Sequence, residues 1–520
     1  MKNKKRTGSF YTPKIVAEFM VDYVFQKLKG NQRQNINILE PSVGNGIFVK
    51  SIFEHKYLST NINKFLAIEK KKIELRKANL HAKTKNYKGI NSDFLEFQNN
   101  NSELFDLVIG NPPYIKKVYL SDKQKNLCQN IHFSAKLSNS KTRNIWTAFL
   151  VRCIYFTNLD GILAFVLPSE FLQVNFAKEL RTLILKEFER IEIFTFNELL
   201  FSDSKGQDTI LLIAERKSAN KGVFFCNINK LTDISKREFN LSENINIRES
   251  KWTHHHLSSD EVILLEKLKK QLKTINNYCS SKAGIVTAAN DFFIVDIKTV
   301  QKYSLEKFTK KILQKGVFVN GSVVLTKNDF AELISMSKPT FLITLDKNSE
   351  IHLNSKINEY LQLGVDKNLK ERYKITIREK WYEVPNIGSP PDGFFFKRCN
   401  VYPKLVKNDA KVLVTDSAYK ISMNDNNKME DLIFSFYNSL TLSFAELNGR
   451  YYGGGVLELT PNEFKNLPIP YLNINLKLFN TFVEEFKSKK SIKEICLRND
   501  LILLKTIDRS EEHTSELQSL

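Results

Sequence analysis

A doubly wound, mostly parallel α/β sheet with an antiparallel last strand, followed by a separate α+β domain, is the architecture this 520-residue sequence predicts. Three observations predict it. Between residues 34 and 216 short apolar runs alternate with longer helical patterns, the rhythm of parallel strands joined by crossover helices. The connection 197–208 is too short for a crossover helix with its turns, so the strand after it is expected to run antiparallel. Beyond about residue 245 the βα rhythm disappears and strand-like pieces mix with helices and long polar connections. The expected divisions are therefore 1–245, 250–480 and a helical segment 481–508.

Taken in order, apolar strands are expected at 37–39, 65–68, 107–109, 162–166, 191–196 and 209–214, with helices at 47–54, 147–158 and 176–188. In the second half the strand-like pieces are 292–295, 323–325, 341–345 and 412–414. The last twelve residues, 509–520, are polar and aperiodic. They resemble a translated sequencing adapter and are set aside from the fold.

Hydrophobic residues at 42% and charged residues at 26% exclude wholesale disorder. A formal net charge of +21 suits a protein that works along a polyanion, although lysine-rich coding bias inflates the same number. Six cysteines without a CxxC pair argue against a zinc ribbon or disulfide framework and for a reducing cytosol. No apolar run reaches membrane-span length. His254, His255 and His256 are adjacent, so their side chains diverge, and no carboxylate cluster accompanies them; no metal site is expected.

The strongest local feature is Phe105-Asp-Leu-Val-Ile-Gly-Asn111-Pro112-Pro113-Tyr114. A buried strand ends at the sheet's carboxyl edge, where open α/β sheets bind ligands, and delivers a stiff loop. Two prolines fix consecutive φ angles and remove two N–H donors, so the loop offers acceptors: the Asn111 side-chain oxygen and the Pro112 carbonyl. Accepting both hydrogens of a conjugated amine holds its nitrogen closer to sp³ and aims the lone pair. Tyr114 is placed to stack on a base extruded from a duplex. Upstream, Glu40-Pro41-Ser42-Val43-Gly44-Asn45-Gly46 carries a strand through a Gly-x-Gly turn into a helix, where glycines allow positive φ and close backbone approach. Glu69 closes the next strand, positioned to accept from a pair of hydroxyls. Asp93 follows, positioned to accept from an amino group, with Phe94 against the attached ring.

The order Tyr11-Thr12-Pro13, Glu40-Pro-x-x-Gly-x-Gly46, Glu69, Asp93-Phe94, Asn111-Pro-Pro-Tyr114 resembles the gamma class of amino-group DNA methyltransferases found in restriction–modification systems. The resemblance is dense over 7–216. It implies a Rossmann-like class I methyltransferase sheet, S-adenosyl-L-methionine as cofactor, double-stranded DNA as partner and N6 of adenine as target. By the same resemblance Tyr11, Thr12 and Pro13 help hold the methionine end of the cofactor. Phe201 contacts the flipped adenine opposite Tyr114. A separate restriction endonuclease acting on the same site is a further partner the resemblance allows. The Asn-Pro-Pro-Tyr motif also serves enzymes that methylate a protein glutamine or a guanine of ribosomal RNA. Those usually lack the Tyr-Thr-Pro segment and a recognition domain of this length.

Thinner resemblance continues into Ala283–Val295 and Tyr451-Tyr-Gly-Gly-Gly-Val-Leu-Glu-Leu-Thr-Pro461, which look like parts of a target-recognition domain. Aromatic–basic clusters at 372–374, 378–382 and 394–398 suit a DNA reader. None is singled out as reading bases.

Overall fold

The computed structural model describes residues 11–507 apart from 31–33, 99–102, 139–142, 199, 201–207, 237–238, 244–250, 253–256, 258, 320, 347–354, 453–455 and 506. The chain forms two compact units, Met1–Leu264 with Arg450–Gly455, and Leu265–Gly449 with Val456–Leu520.

In the first unit helix α1 (Lys14–Gly30) precedes strand β1 (Ile36–Glu40). It buries Val16, Ala17, Met20, Val21, Val24 and Leu28, the three-to-four spacing of a helix packed on a sheet. Then come α2 (Ile47–Glu54), α3 (Lys56–Asn61), β2 (Ile62–Glu69), α4 (Lys72–Asn79), β3 (Tyr87–Asn91) and β4 (Phe105–Gly110). They are followed by α5 (Asp122–Ser134), α6 (Trp146–Phe156), β5 (Thr157–Pro168), α7 (Glu170–Gln173), α8 (Lys178–Glu187), β6 (Arg190–Phe196), β7 (Thr209–Glu215), β8 (Gly222–Ile228) and β9 (Ser242–Glu243). The strands make one nine-stranded sheet in the order β3-β2-β1-β4-β5-β7-β6-β8-β9. The pairs β3-β2-β1-β4-β5 are all parallel, and β7 lies antiparallel to both β5 and β6.

The predicted mostly parallel sheet and its antiparallel strand are therefore present, with two differences. The antiparallel strand is internal, because β8 adds to β6 in parallel beyond it. Strand β3 lacks the apolar run that marks a strand: its residues are half-buried or exposed at the sheet's edge, so composition alone does not reveal it.

A buried ionic cluster ties α1 to the far half of the sheet. Lys27 Nζ meets Glu192 Oε1 at 2.8 Å and Glu215 Oε1 at 2.7 Å, and Arg190 Nε meets Glu192 Oε1 at 2.6 Å. Both carboxylates are buried, and their charge is compensated within the cluster.

The second unit contains a five-stranded sheet in the order Cys279–Ala283, Ala418–Met423, Gly393–Phe396, Lys404–Asn408, Val324–Leu325. Phe394, Phe395 and Phe396 lie in its core, so the aromatic members of the 394–398 cluster serve packing. Arg372 and Arg378 donate to the backbone carbonyls of Ala288 and Thr287, holding that turn. Helices Leu476–Lys487 and Ile492–Leu503 bury Phe479, Phe482, Phe486, Ile495 and Leu503 in the same core as Phe395 and Tyr419. The predicted 481–508 segment is thus integral to this unit. Among the described residues no helix is long and apolar enough to cross a membrane, and no group of His, Cys, Asp and Glu is arranged to hold a metal ion.

Candidate active site

Because β3, β2, β1 and β4 are parallel neighbours, their carboxyl ends deliver Asp93, Glu69, Glu40 and Asn111 to one edge. There they line a single open cleft of about 920 Å³ including its mouth. Tyr11, Thr12, Pro41, Ser42, Gly44, Phe94 and Pro113 line it too.

The loop after β1 is shaped by its glycines and by Glu69. Gly44 sits at φ +56° and Gly46 at φ +83°, left-handed values that favour glycine. The backbone N–H of Gly44 donates to Glu69 Oε2 at 2.9 Å, and that of Lys71 to Oε1 at 2.8 Å. One carboxylate thereby holds both the glycine turn and its own strand end, with acceptor capacity remaining. A Cβ on Gly44 would lie 3.5 Å from the Tyr11 ring, so the Tyr11-Thr12-Pro13 segment passes directly over the turn. Gly46 differs from the expectation. Its missing Cβ faces Ala78 Cα at 2.5 Å, and it is not part of the cleft lining. Its smallness lets α2 pack against α4.

Glu40 is wholly buried, and neither carboxylate oxygen has a partner among the described residues. Burial, and then the nearby Glu69, push its carboxyl well above the usual carboxylate range. With Glu69, Glu74 and Asp93 it gives the cleft four carboxyl groups against two lysines, Lys70 and Lys71, in a chain whose net charge is +21. A cation is the ligand component that satisfies such a carboxyl.

Asp93 accepts from Leu95 N at 3.0 Å and from Lys70 Nζ at 2.8 Å. Phe94 is buried, backed by Phe149 with ring centroids 5.0 Å apart and by the Arg152 guanidinium 5.0 Å from its ring centre. Arg152 also donates to the carbonyls of Phe94 and Phe97, which fixes this wall.

The Asn111 loop abuts the glycine loop. Ser42 Oγ donates to the Asn111 carbonyl at 3.0 Å, and a Cβ on Gly110 would meet Pro41 Cδ at 3.3 Å. Asn111 Nδ2 donates to Thr12 Oγ1 at 3.2 Å, which fixes the amide so that Oδ1 is its acceptor end. Pro112 is buried and Pro113 half-buried. Tyr114 is buried, its hydroxyl donating to the Val166 carbonyl near the end of β5 at 2.9 Å; burial raises its phenol well above the ordinary value. Pro112 and Tyr114 do not line the cleft that holds Glu40, and Phe201 lies outside the described residues.

Lys70, Gln124, Ile145 and Phe149 line the cleft without having been anticipated. Lys70 belongs to a lysine run that reads as a solvated face. The other three come from α5, α6 and the residue before α6, which only the three-dimensional fold brings to this edge.

The family model for the N-6 DNA Methylase matches residues 1–350, and that for the C-terminal domain of the Type II methyltransferase M.Eco57I matches residues 249–504. The Type II methyltransferase M.AccI of Acinetobacter calcoaceticus is 25% identical over 480 residues, covering 89% of this chain and 85% of that protein. M.BanIII of Aneurinibacillus aneurinilyticus is 23% identical over 547 residues, covering 90% of each. The Type IIL restriction–modification enzyme MmeI, solved in complex with DNA, shares the fold at TM-score 0.64 and 15% identity, covering 98% of this chain and 76% of that one. With the family model matched over residues 1–350 and the methyl-donor fold in place, this chain belongs to the N-6 DNA methylase family, as a DNA methyltransferase of the restriction–modification type.

Proposed function

We propose that this chain methylates the exocyclic N6 of adenine at a specific site in double-stranded DNA, using S-adenosyl-L-methionine, as the modification enzyme of a type II system. The observation that carries the reading is the junction of two loops: Ser42 Oγ on the Asn111 carbonyl at 3.0 Å joins the acceptor loop to the acidic, glycine-turned cleft.

The cofactor supplies, when bound, an electrophilic methyl group on a cationic sulfur. Glu40 fits it, because a buried carboxyl without a partner among the described residues calls for a positively charged ligand. Tyr11, Thr12 and Pro13 hold its methionine end beside Gly44. The remaining lone pairs of Glu69 accept from the ribose hydroxyls, and Asp93 accepts from the cofactor's adenine amino group with Phe94 against the ring. Pro41, Ser42, Gly44 and Gly46 shape the loop between them.

On the substrate side, Asn111 Oδ1 and the Pro112 carbonyl accept the two N6 hydrogens, so the nitrogen's lone pair is turned out of conjugation and toward the methyl. Pro113 stiffens this loop. Tyr114 stacks on the flipped base and Phe201 meets it from the other side. Because sulfonium is an excellent leaving group, alignment does much of the work, worth on the order of 7–11 kcal/mol in ideal cases.

The second unit, matched by the M.Eco57I C-terminal model over 249–504, is the target reader. The names of M.AccI and M.BanIII support a type II assignment, in which a separate endonuclease recognises the same site. Replacing Asn111 with Ala tests the catalytic assignment: cofactor affinity by calorimetry should hold while turnover falls on the order of 10²-fold or more. Near-wild-type methylation by Asn111→Ala would overturn it.

A further inference from the structure

The segment 450–455 lies deep in the second half of the sequence, yet it belongs to the first unit. Its attachment is specific. Tyr451 N donates to Gln173 Oε1 at 2.8 Å, and Gln173 is itself buried at 6% exposure. Gln173 ends α7, the short helix directly after β5. The end of β5 also receives the Tyr114 hydroxyl on Val166, and Ser169 N is anchored on the Asp208 carbonyl at 3.0 Å. The Asn111–Tyr114 loop and the Arg450–Tyr452 strand are therefore fastened to the end of one strand, within eight positions of each other along the chain.

Between these fastenings lies Glu170, half-buried on α7. Burial raises its carboxyl, and two cations pull it back down: Lys116, two residues beyond Tyr114, and Arg450. Lys116 is exposed and held in place by a bridge to Asn144. The next residue, Lys117, donates its backbone N–H to the carbonyl of Arg143, whose own side chain is exposed. Glu170 thus lies in the field of one cation from just beyond the catalytic loop and one from a distant stretch of sequence. One carboxylate against Lys116 and Arg450, with Lys117 and Arg143 alongside, leaves the edge net positive, as a DNA backbone requires.

We propose that Arg450 and Lys116 form a two-armed grip on a DNA phosphate beside the extruded nucleotide, with Gln173 as the positioning residue that sets Arg450 by pinning the backbone of Tyr451. This rests on the DNA reading above. It gives the 450–455 excursion a purpose: a cation placed on the catalytic unit by chain that begins and ends in the other unit. Glu170 is the counter-charge that keeps both arms at one place before DNA arrives.

The test measures DNA affinity against salt concentration for the full chain, on a duplex carrying the site mapped by sequencing methylated DNA. Because both arms hold the same phosphate, Arg450→Ala and Lys116→Ala should each flatten the slope of log K against log salt by about 0.9, the value of that one contact, and removing both should flatten it no further. Gln173→Leu should flatten it about as much as Arg450→Ala, and the double variant no further. Each variant should also lower the fluorescence rise of 2-aminopurine placed at the target adenine, while Arg450→Lys restores most of it. Unchanged cofactor affinity shows that each variant is folded. Wild-type slopes in both single cation variants would overturn the grip, and a Gln173→Leu slope equal to wild type would overturn the pin. If the wild-type chain transfers no methyl group to DNA at all, the reading beneath fails and the grip falls with it.

Discussion

Replacing Glu40 with Gln separates what the buried carboxyl costs from what it contributes. The side chain is fully enclosed, its oxygens have no partner among the described residues, and burial and Glu69 push its carboxyl well above the usual range. In the protein without cofactor the neutral acid is therefore favoured. A cationic ligand converts it to the carboxylate, so binding releases a proton and affinity rises with pH until the raised value is passed. A charge-assisted hydrogen bond contributes about 1.5–3 kcal/mol, so Glu40→Gln should bind the cofactor about 10–150-fold more weakly and lose the proton release. Stability moves the other way. An acid whose folded value is raised contributes stability that is present below its unfolded value of about 4.3 and lost as pH rises through the folded value. Glu40→Gln escapes that loss, so near neutral pH it should unfold several degrees above wild type, and below about pH 4 the two should coincide. Calorimetric titration in buffers of different ionisation enthalpy measures the proton, and thermal unfolding across pH measures the stability. Wild-type affinity in Glu40→Gln, or no proton release by the wild type, would refute the assignment of Glu40 to the cation.

Three further outcomes follow from particular contacts. Gly46→Ala drives a Cβ to 2.5 Å from Ala78 Cα, whereas on Gly44 it lies 3.5 Å from a tyrosine ring; Gly46→Ala should lose about 2–4 kcal/mol and Gly44→Ala only the left-handed cost of about 1–2, read by denaturant unfolding. Lys27→Met leaves the buried Glu192 and Glu215 with Arg190 as their remaining cation partner among the described residues and should cost about 3–5 kcal/mol without changing cofactor affinity. Tyr114→Phe loses the bond to the Val166 carbonyl, about 1 kcal/mol, yet keeps the ring and should keep most turnover; Tyr114→Ala should lose it, and equal kinetics of the two would exclude base stacking.

The catalytic half was legible because parallel strands end in chemistry. Glu40, Glu69 and Asn111 each follow a continuous apolar run, and an open α/β sheet brings such ends to one edge. Strand β3 was not legible, since Tyr-Lys-Gly-Ile-Asn at a half-exposed edge lacks the pattern that burial imposes. Gly46 was legible only in part: the motif marks a glycine with positive φ, but only the packing of α2 on Ala78 reveals what its missing side chain avoids. Phe394–Phe396 beside Lys397 and Arg398 looked like a nucleic-acid surface, and all three rings are core. The attachment of Tyr451 to Gln173 spans 278 positions, and no local pattern announces a contact that the tertiary fold alone creates.

We propose that the amine held by Asn111 and Pro112 is N6 of adenine in DNA. Incubating the chain with unmethylated DNA and methyl-labelled S-adenosylmethionine, then resolving the digested nucleosides by mass spectrometry, tests it most directly. Label confined to N6-methyladenine is the expected result; label in N4-methylcytosine, or transfer only to RNA or protein supplied in parallel, would contradict it.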